Sequence, residues 1–570
     1  MKKGTRTFFV LKKVRVPWYV GFKKKDLFRL PSERIGVYPN SFLEASPMST
    51  RSARKRSPAC PPDILYKPRG TFHPRVQKVG PEHFGIVVVD CAKARSKWML
   101  ADFYGNVLVP PTVVAHNRSA FADTIALLRQ AMITHHLRDL IVAVERTGRY
   151  HRPPQRAFTA AGFEVRLVHP FATSQFRQPT NPDNKTDDTD LFALHAAATH
   201  GLALLDNDLD EQWQTLQLLE RHRRDLVAKS SLLCCQIREH LDAALPGFAA
   251  CFGRLWDSAP AWHLVAHFVS PQQLSDAGPR GLARSLDQAG VAYQTRTIDK
   301  VLEWAAHAAA PDIAAAQHRR IALSLNDDRT RKALSIRDLE CELAGLLART
   351  PYVLLLALPG VNVASAAEFA GEMGPISHYA HAKAITGRAG LCPSRYQSDQ
   401  VDKADGCLRR RCNRRLRAAI LTIADNLIAC NHYFGTLAAG WRLVGKKPKD
   451  IRVRVAVRFC RIAYQVVAGR LPFRHPAAQE RHYVLQKLTA FHREHETAAP
   501  VMLRDLQAAV EQLPRPEYAG EARPLAEELE RIQEGGRRGP QVLGDILPIV
   551  LARLGVGEVE SKESGASDPR

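Results

Sequence analysis

The sequence contains no apolar run long enough to cross a membrane. No stretch reaches the ~18 consecutive apolar residues that a spanning helix needs. Near the start, Lys12, Lys13 and Arg15 interrupt any signal-peptide core. We therefore expect no membrane partner and a cytoplasmic location.

The sequence also has no cysteine pattern typical of a zinc site or a disulfide framework. Its 11 cysteines are scattered, with Cys234 and Cys235 adjacent and Cys407 five residues before Cys412. No pair has a second pair at zinc-ligand spacing, and an odd number over a long chain does not indicate disulfides. This usage predicts a reducing compartment.

Acidic residues are few compared with basic ones. The chain has 57 Asp and Glu against 81 Lys and Arg, a formal net charge of +24. Residues 1–80 alone hold 19 basic and 4 acidic residues, a local net charge of +15. An ordinary basic protein would have some of this charge, but its concentration in one segment favours a nucleic-acid partner, here DNA, and a nucleoid association.

At 570 residues the chain is too long for one core, and roughly three to four units are expected. We interpret residues 1–80 as a basic, partly disordered arm. The remaining predicted segments are 81–205, an α/β domain; 206–350, a helical coiled-coil region with an insert; 351–470, an α-helical domain; and 471–570, a tail that is helical to about residue 533 and then frayed.

The segment 81–205 has the pattern of a mixed sheet. Strands are expected at 84–90, 97–103 and 107–114, with a turn at Tyr104-Gly105-Asn106. Helices and strands then alternate, with helices at 118–136, 152–161 and 188–200 and strands at 139–145 and 164–169. Three antiparallel strands followed by alternating helices and strands are the order of a ribonuclease-H-like domain.

Four carboxylates are placed to meet within this domain. Asp90 and Glu145 each close an apolar strand, while Asp187 and Asp190 share one face of a helix start. Solvated strand ends, or acids that favour a helix N-terminus, would explain each residue alone. Together they predict a site for Mg²⁺ or Mn²⁺, since two such ions ~4 Å apart are the usual apparatus for attack on a phosphodiester.

The middle of the chain changes to a helical repeat. Leu219, Leu226 and Leu233 recur every seven residues, and residues 325–347 have a similar three-four spacing. Two such helices predict either an antiparallel hairpin or a dimerising coiled coil.

A cluster of arginines follows the second repeat, on a helix expected over 408–430. Six guanidiniums in nine residues repel one another unless an anion is present, and their forks match phosphate geometry. We predict contact with DNA or RNA phosphate, rather than a solvated helix face, for this cluster and for Lys185. The arginines are Arg409, Arg410, Arg411, Arg414, Arg415 and Arg417.

The motifs around these residues resemble the DEDD transposase family of the insertion sequences numbered one-hundred-and-ten, which includes the Piv-type DNA invertases. Asp90 with Lys93 is similar to its Asp-x-x-Lys, Glu145-Arg146-Thr147-Gly148-Arg149-Tyr150 to its Glu-x-Thr-Gly-x-Tyr, and Lys185 to Asp190 to its Lys-Thr-Asp-x-x-Asp. Leu358-Pro359-Gly360-Val361, Gly390-Leu391-Cys392-Pro393 with Ser398, and Asn413 to Arg417 resemble its C-terminal half.

The resemblance implies a RuvC-like, Mg²⁺-binding domain, a coiled coil and a serine transposase domain. It further implies that Ser398 is the nucleophile and forms a phosphoserine link to DNA. A structured guide RNA, and a homo-oligomer (dimer or tetramer) whose active sites combine different protomers, are also implied.

Three other readings stay open. A Piv-like invertase would use the same residues. A metal-dependent nuclease of branched DNA would use water in place of Ser398. A non-catalytic nucleic-acid-binding relic is favoured by Asp399 after the serine and by the atypical N-terminal arm. Cys412 before Asn413 is a second departure from the family pattern.

Overall fold

The computed structural model describes residues 70–178, 185–206, 209–394, 396–398, 401–403, 406–470, 475–479 and 481–514. These residues form two compact units, which divide before Leu209. We call residues 70–206 the sheet unit and residues 209–514 the helical unit. Expectations for residues 1–69 and 515–570 lie outside the described residues.

The sheet unit is built on one mixed sheet of six strands in the order β3-β2-β1-β4-β5-β6. The strands are β1 Phe84–Cys91, β2 Arg95–Asp102, β3 Val107–Ala115, β4 Asp139–Glu145, β5 Val165–Val168 and β6 Ala203–Leu205. β1, β2 and β3 form an antiparallel meander, β4 is parallel to β1, and β5 is parallel to β4. β6 is antiparallel to β5. This mixed α/β topology is consistent with the expected ribonuclease-H-like domain.

Both faces of the sheet are covered, which explains why its central strands are apolar throughout. Alternate residues of β1 enter different cores, with Val87 and Val89 on one face and Ile86 and Val88 on the other. The helices of this unit are α1 His73–Val79, α2 Arg118–Thr134, α3 Arg152–Ala160, α4 Pro170–Arg177 and α5 Asp187–Ala197.

The end of the expected N-terminal arm is part of the sheet unit. Phe72 is buried in the core on one face of the sheet, and Arg75 forms an ion pair with Asp139 at 2.6 Å. Residues 70–80, which the sequence assigned to the arm, are thus held on the sheet by apolar burial. Helix α4 and strand β6 are also additional to the elements expected from the sequence.

The helical unit contains two 34-residue helices, α6 Glu211–Ala244 and α10 Ala315–Ala348. Arg223 pairs with Glu340, and Nδ1 of His240 lies 2.8 Å from Nδ1 of His318, so the two helices run antiparallel. Of the two expected arrangements, the intrachain hairpin is present. The heptad leucines are only half-buried, and dimerisation stays a prediction.

A small helical insert joins these two helices and has its own core around Leu264, Leu282 and Val301. Its helices are α7 Ala259–His267, α8 Pro271–Gln288 and α9 Thr295–His307.

The rest of the helical unit packs around Tyr352, Phe369 and Phe459. Its elements are α11 Val363–Met373, α12 Ala382–Arg388, β7 Tyr396–Ser398, β8 Val401–Lys403, α13 Arg414–Cys430, α14 His432–Leu443, α15 Pro448–Gly469, α16 Arg481–Glu494 and α17 Ala499–Gln512. The basic helix expected over 408–430 begins only at Arg414, because the Asn413 side chain caps it there. None of the helices in the described part of the chain is long and apolar enough to span a membrane.

Candidate active site

Asp90 and Glu145 project from the same face of the sheet. β1 and β4 pair in parallel up to Val89 and Val144, so the two acids occupy the next place in the register. Ile141 and Ala143 of β4 lie in the same core as Ile86 and Val88 of β1. The two-residue period of a strand therefore directs Asp90 and Glu145 to that same face.

Helix α5 brings the other two carboxylates to this face. Thr186 and Thr189 form a capping box, which starts the helix at Asp187. One turn later, Leu191 and Leu194 pack into the core on the face of Asp90. The first turn of α5 thus carries Asp187 and Asp190 to this side of the sheet.

The other three carboxylates all contribute to the electrostatics of Asp90. Burial, followed by the charge of Glu145, raises the pKa of Asp90 to about 6. Asp190 and Asp187 raise this pKa further. Neighbouring negative charges favour the protonated form, and this excess of negative charge is what a cation would relieve.

Two cations already contact the acidic residues of α5. Arg177, at the end of α4, donates a hydrogen bond to Oδ1 of Asp190. Lys97, which faces Asp90 across β1 and β2, lies 2.7 Å from Asp188. Neither Arg177 nor Lys97 was predicted from the sequence as part of the site. A lysine within the otherwise apolar stretch 97–103 was the one available signal.

The donor set fits a hard divalent cation by type, since all four side chains supply carboxylate oxygens. The placement of these oxygens, by contrast, does not form a complete set of metal ligands. Among the described residues, no group of three or more His, Cys, Asp or Glu side chains has the arrangement of a metal site. The Arg177 guanidinium holds Asp190, and the Glu145 carboxylate accepts a hydrogen bond from Thr147 at 2.9 Å.

Ser398 is the last residue of strand β7, where it pairs with Val401 of β8. The backbone forms a short antiparallel hairpin at this point. Asp399 lies outside the described residues. Ser394, a second serine of this segment that could serve as the nucleophile, is exposed, and its backbone pairs with Gly406 and Cys407 at the base of the hairpin.

Five of the six clustered arginines are exposed. Arg409, Arg410 and Arg411 precede α13, while Arg414 and Arg415 lie in its first turn. Lys185 is also exposed, next to the cap of α5. These positions leave the guanidiniums accessible to a large anion.

Comparison with protein families identifies two matched segments. Residues 87–246 match a DEDD family model described as a transposase, and residues 352–438 match the transposase family IS116/IS110/IS902. The chain belongs to the IS110 family of transposases. The two matches contain all the candidate site residues in the order that the motifs predict. No curated protein matches the chain.

Within the second matched segment of this transposase, a buried carboxylate organises the start of the arginine-rich helix. Glu372 accepts two hydrogen bonds from Arg221 and one from Asn413, the cap of α13. Burial raises the pKa of Glu372, but these hydrogen bonds, together with the charges of Arg221 and Arg415, outweigh it and hold the pKa below its ordinary value. The motif asparagine of the transposase is thus held by Glu372 of α11, which Arg221 of α6 holds in turn.

Arg417 differs from the other arginines of the cluster. Its guanidinium donates to the carbonyl oxygens of Ala389 at 2.8 Å and Gly390 at 3.0 Å, and also to that of Arg409. Through these three backbone carbonyls, the Arg417 guanidinium stabilises the turn before the hairpin. We therefore do not propose a phosphate contact for Arg417.

Proposed function

We propose that this transposase cuts and rejoins DNA strands at a site formed by Asp90, Glu145, Asp187 and Asp190. The convergence of these four carboxylates on one face of the sheet, expressed in the raised pKa of Asp90, carries the proposal. Isolated acids at strand ends and helix starts would not raise one another's pKa in this way. The sheet unit is then a RuvC-like catalytic domain.

The same carboxylates would hold Mg²⁺ or Mn²⁺. When bound, such an ion stabilises the negative charge that develops on the phosphate during attack. The acids of this chain supply the negative charge that retains the ion. Arg177 would orient Asp190, and Lys97 would hold Asp188 away from the ligand set.

Ser398 is our candidate nucleophile, and the helical unit then includes a serine transposase domain. The hydroxyl oxygen of Ser398 would form a bond to a phosphorus of the DNA backbone while the bond from that phosphorus to the 3′ oxygen breaks. The serine hydroxyl gives its proton to a base, and the 3′ oxygen gains a proton in exchange, so that it leaves as a hydroxyl group. The phosphoserine ester conserves the bond for rejoining when a 3′ hydroxyl attacks it.

The partners in this proposal are DNA, a structured guide RNA and further copies of the chain, as a dimer or tetramer. The exposed arginines Arg409, Arg410, Arg411, Arg414 and Arg415 would contact the phosphate backbone. Lys185 would do so beside the carboxylates.

The proposal is tested by incubating the protein with DNA from the ends of the mobile element (element-end DNA), the RNA transcript of the non-coding DNA that flanks the gene, and Mg²⁺. We expect strand cleavage that stops on chelation of the metal and a protein–DNA adduct that resists denaturant. Cleavage without an adduct would favour the water-using nuclease. No cleavage with any divalent metal would favour a nucleic-acid-binding relic.

A further inference from the structure

The turn between α14 and α15 exposes two aliphatic side chains. Leu443 is 88% exposed and Val444 is 68% exposed, and they follow each other at the end of α14. Aliphatic side chains are normally covered, and single exposed ones need no explanation. Here two adjacent ones form the tip of a helical hairpin, which we call the Leu443–Val444 tip.

The backbone holds this tip in one conformation. The N–H of Lys446 donates to the carbonyl of Trp441 at 3.0 Å, and the N–H of Gly445 donates to that of Arg442 at 3.0 Å. With Gly445 at φ +74°, these two bonds form a Schellman motif. Helix α15 then begins directly after Lys447, with Pro448 in its first turn. The tip is therefore preorganised.

The tip is surrounded by positive charge. Residues 442–461 contain eight Lys or Arg and one acidic residue, Asp450, a local net charge of +7. Arg452 pairs with Asp425 of α13 at 2.6 Å. The other basic residues of this segment are exposed: Arg442, Lys446, Lys447, Lys449, Arg454, Arg458 and Arg461.

Two of these arginines are stacked on aromatic rings of the preceding helix. The guanidinium of Arg454 lies 5.9 Å from the ring centre of Trp441, and that of Arg458 lies 5.6 Å from the ring centre of Tyr433. Such contacts restrict the guanidiniums and leave their N–H groups available to an anion. Cations therefore run from the tip along one side of α15.

We propose that the α14–α15 hairpin is a DNA wedge. The Leu443–Val444 tip presses between adjacent base pairs of double-stranded DNA, and the lysines beside it hold the flanking phosphates. Aliphatic wedges between base steps, accompanied by cationic contacts, are a known way of bending duplex DNA. This inference rests on the proposed function in one respect, that the polyanion is DNA.

The composition of the tip distinguishes DNA from other polyanionic surfaces. Proteins that bind single strands or RNA loops stack bases on aromatic side chains, and residues 442–449 contain none. Insertion into a lipid surface uses a longer apolar helix face, whereas here two residues protrude.

The test uses the full-length protein without divalent metal and duplex DNA carrying 2-aminopurine, which brightens when a base is unstacked. Matched probes are the same single strand, an RNA duplex, and phosphatidylserine-containing vesicles. The variants are Leu443→Ser with Val444→Ser, and Lys446→Gln with Lys447→Gln and Lys449→Gln. Ile133→Ser is the control, since Ile133 is 70% exposed near the end of α2.

We expect the wild type and Ile133→Ser to brighten the DNA duplex probe. The tip variant should lose at least half of this rise at saturating protein and keep the salt dependence of binding. The lysine variant should flatten the salt slope by about two to three units, at about 0.9 per phosphate contact.

An unchanged rise in the tip variant would overturn the wedge. So would brightening confined to the single strand or RNA, or tip-dependent binding to vesicles alone. Because the assay involves no cleavage, failure of the catalytic proposal would leave this result unaffected.

Discussion

Asp90 and Glu145 occupy neighbouring positions at the ends of two parallel strands, one place beyond the paired residues Val89 and Val144. Burial and the Glu145 charge together raise the pKa of Asp90 to about 6. The two acids therefore share one electrostatic environment, although they are far apart in the chain. This relationship makes the sheet face a candidate site.

Replacing Asp90 by Asn should nearly abolish strand cleavage. The change removes a negative charge at almost constant volume, and the expected loss exceeds the about 10–100-fold that even outer-shell changes at metal sites cause. Cleavage is measured with Mg²⁺ on element-end DNA. Asp188→Asn is the matched control, since Asp188 pairs with Lys97, and it should keep most of the activity. Full activity of Asp90→Asn would refute the carboxylate site.

Replacing Ser398 by Ala should remove the covalent protein–DNA adduct, because the nucleophilic oxygen is lost. Ser394→Ala is the control in the same hairpin and should retain the adduct. Denaturing gels detect the adduct, and mass spectrometry of its digest should place the phosphoester on Ser398. An adduct that persists in Ser398→Ala would transfer the role to another hydroxyl.

Changing Arg410, Arg411 and Arg414 together to Gln should weaken binding and flatten its salt dependence. Each lost phosphate contact reduces the slope by about 0.9, so a change of roughly two to three units is expected. Fluorescence anisotropy over a salt series measures the slope. Arg280, Arg284 and Arg296 of the insert, changed in the same way, provide a charge-matched control. Equal slopes for both triple variants would assign the cluster to a solvated surface.

Glu220 should make the folding stability depend on pH. It is buried on α6, and neither of its carboxylate oxygens has a hydrogen-bond partner among the described residues. Burial, followed by the charge of Glu368, raises its pKa to about 7, against the opposing effect of Arg223 and Arg224. Between the unfolded pKa of about 4.3 and this value, the folded chain binds more protons than the unfolded chain.

Stability should therefore fall as the pH rises through this window, by roughly 4 kcal/mol at most from this group. Glu220→Gln removes the titration, so its free energy of unfolding relative to the wild type should increase between pH 5 and pH 8. Urea unfolding at both pH values measures this difference. Glu239→Gln, at an exposed position on the same helix, should show no such increase. An equal difference at both pH values for Glu220→Gln would contradict the prediction.

Local patterns were sufficient for most of the sheet unit. An apolar run that ends in an acid predicts a covered strand with its acid at the edge, and β4 has the expected bounds, Asp139–Glu145. The expected helix near residue 188 begins at Asp187, where the Thr186–Thr189 capping box starts it. The short elements α4 and β6 were not predicted, because each has too few residues to show a helical or strand periodicity.

The sequence by itself determined which residues could carry the chemistry: the four carboxylates, the serine and the arginine cluster, and through their motifs the family. Only the tertiary structure decided the partners of these residues. Arg177 meets Asp190, Glu372 fixes Asn413, and Arg417 is held by backbone carbonyls. Periodicity reports which face of an element is covered. It does not report which distant side chain lies opposite, because that depends on how whole elements pack.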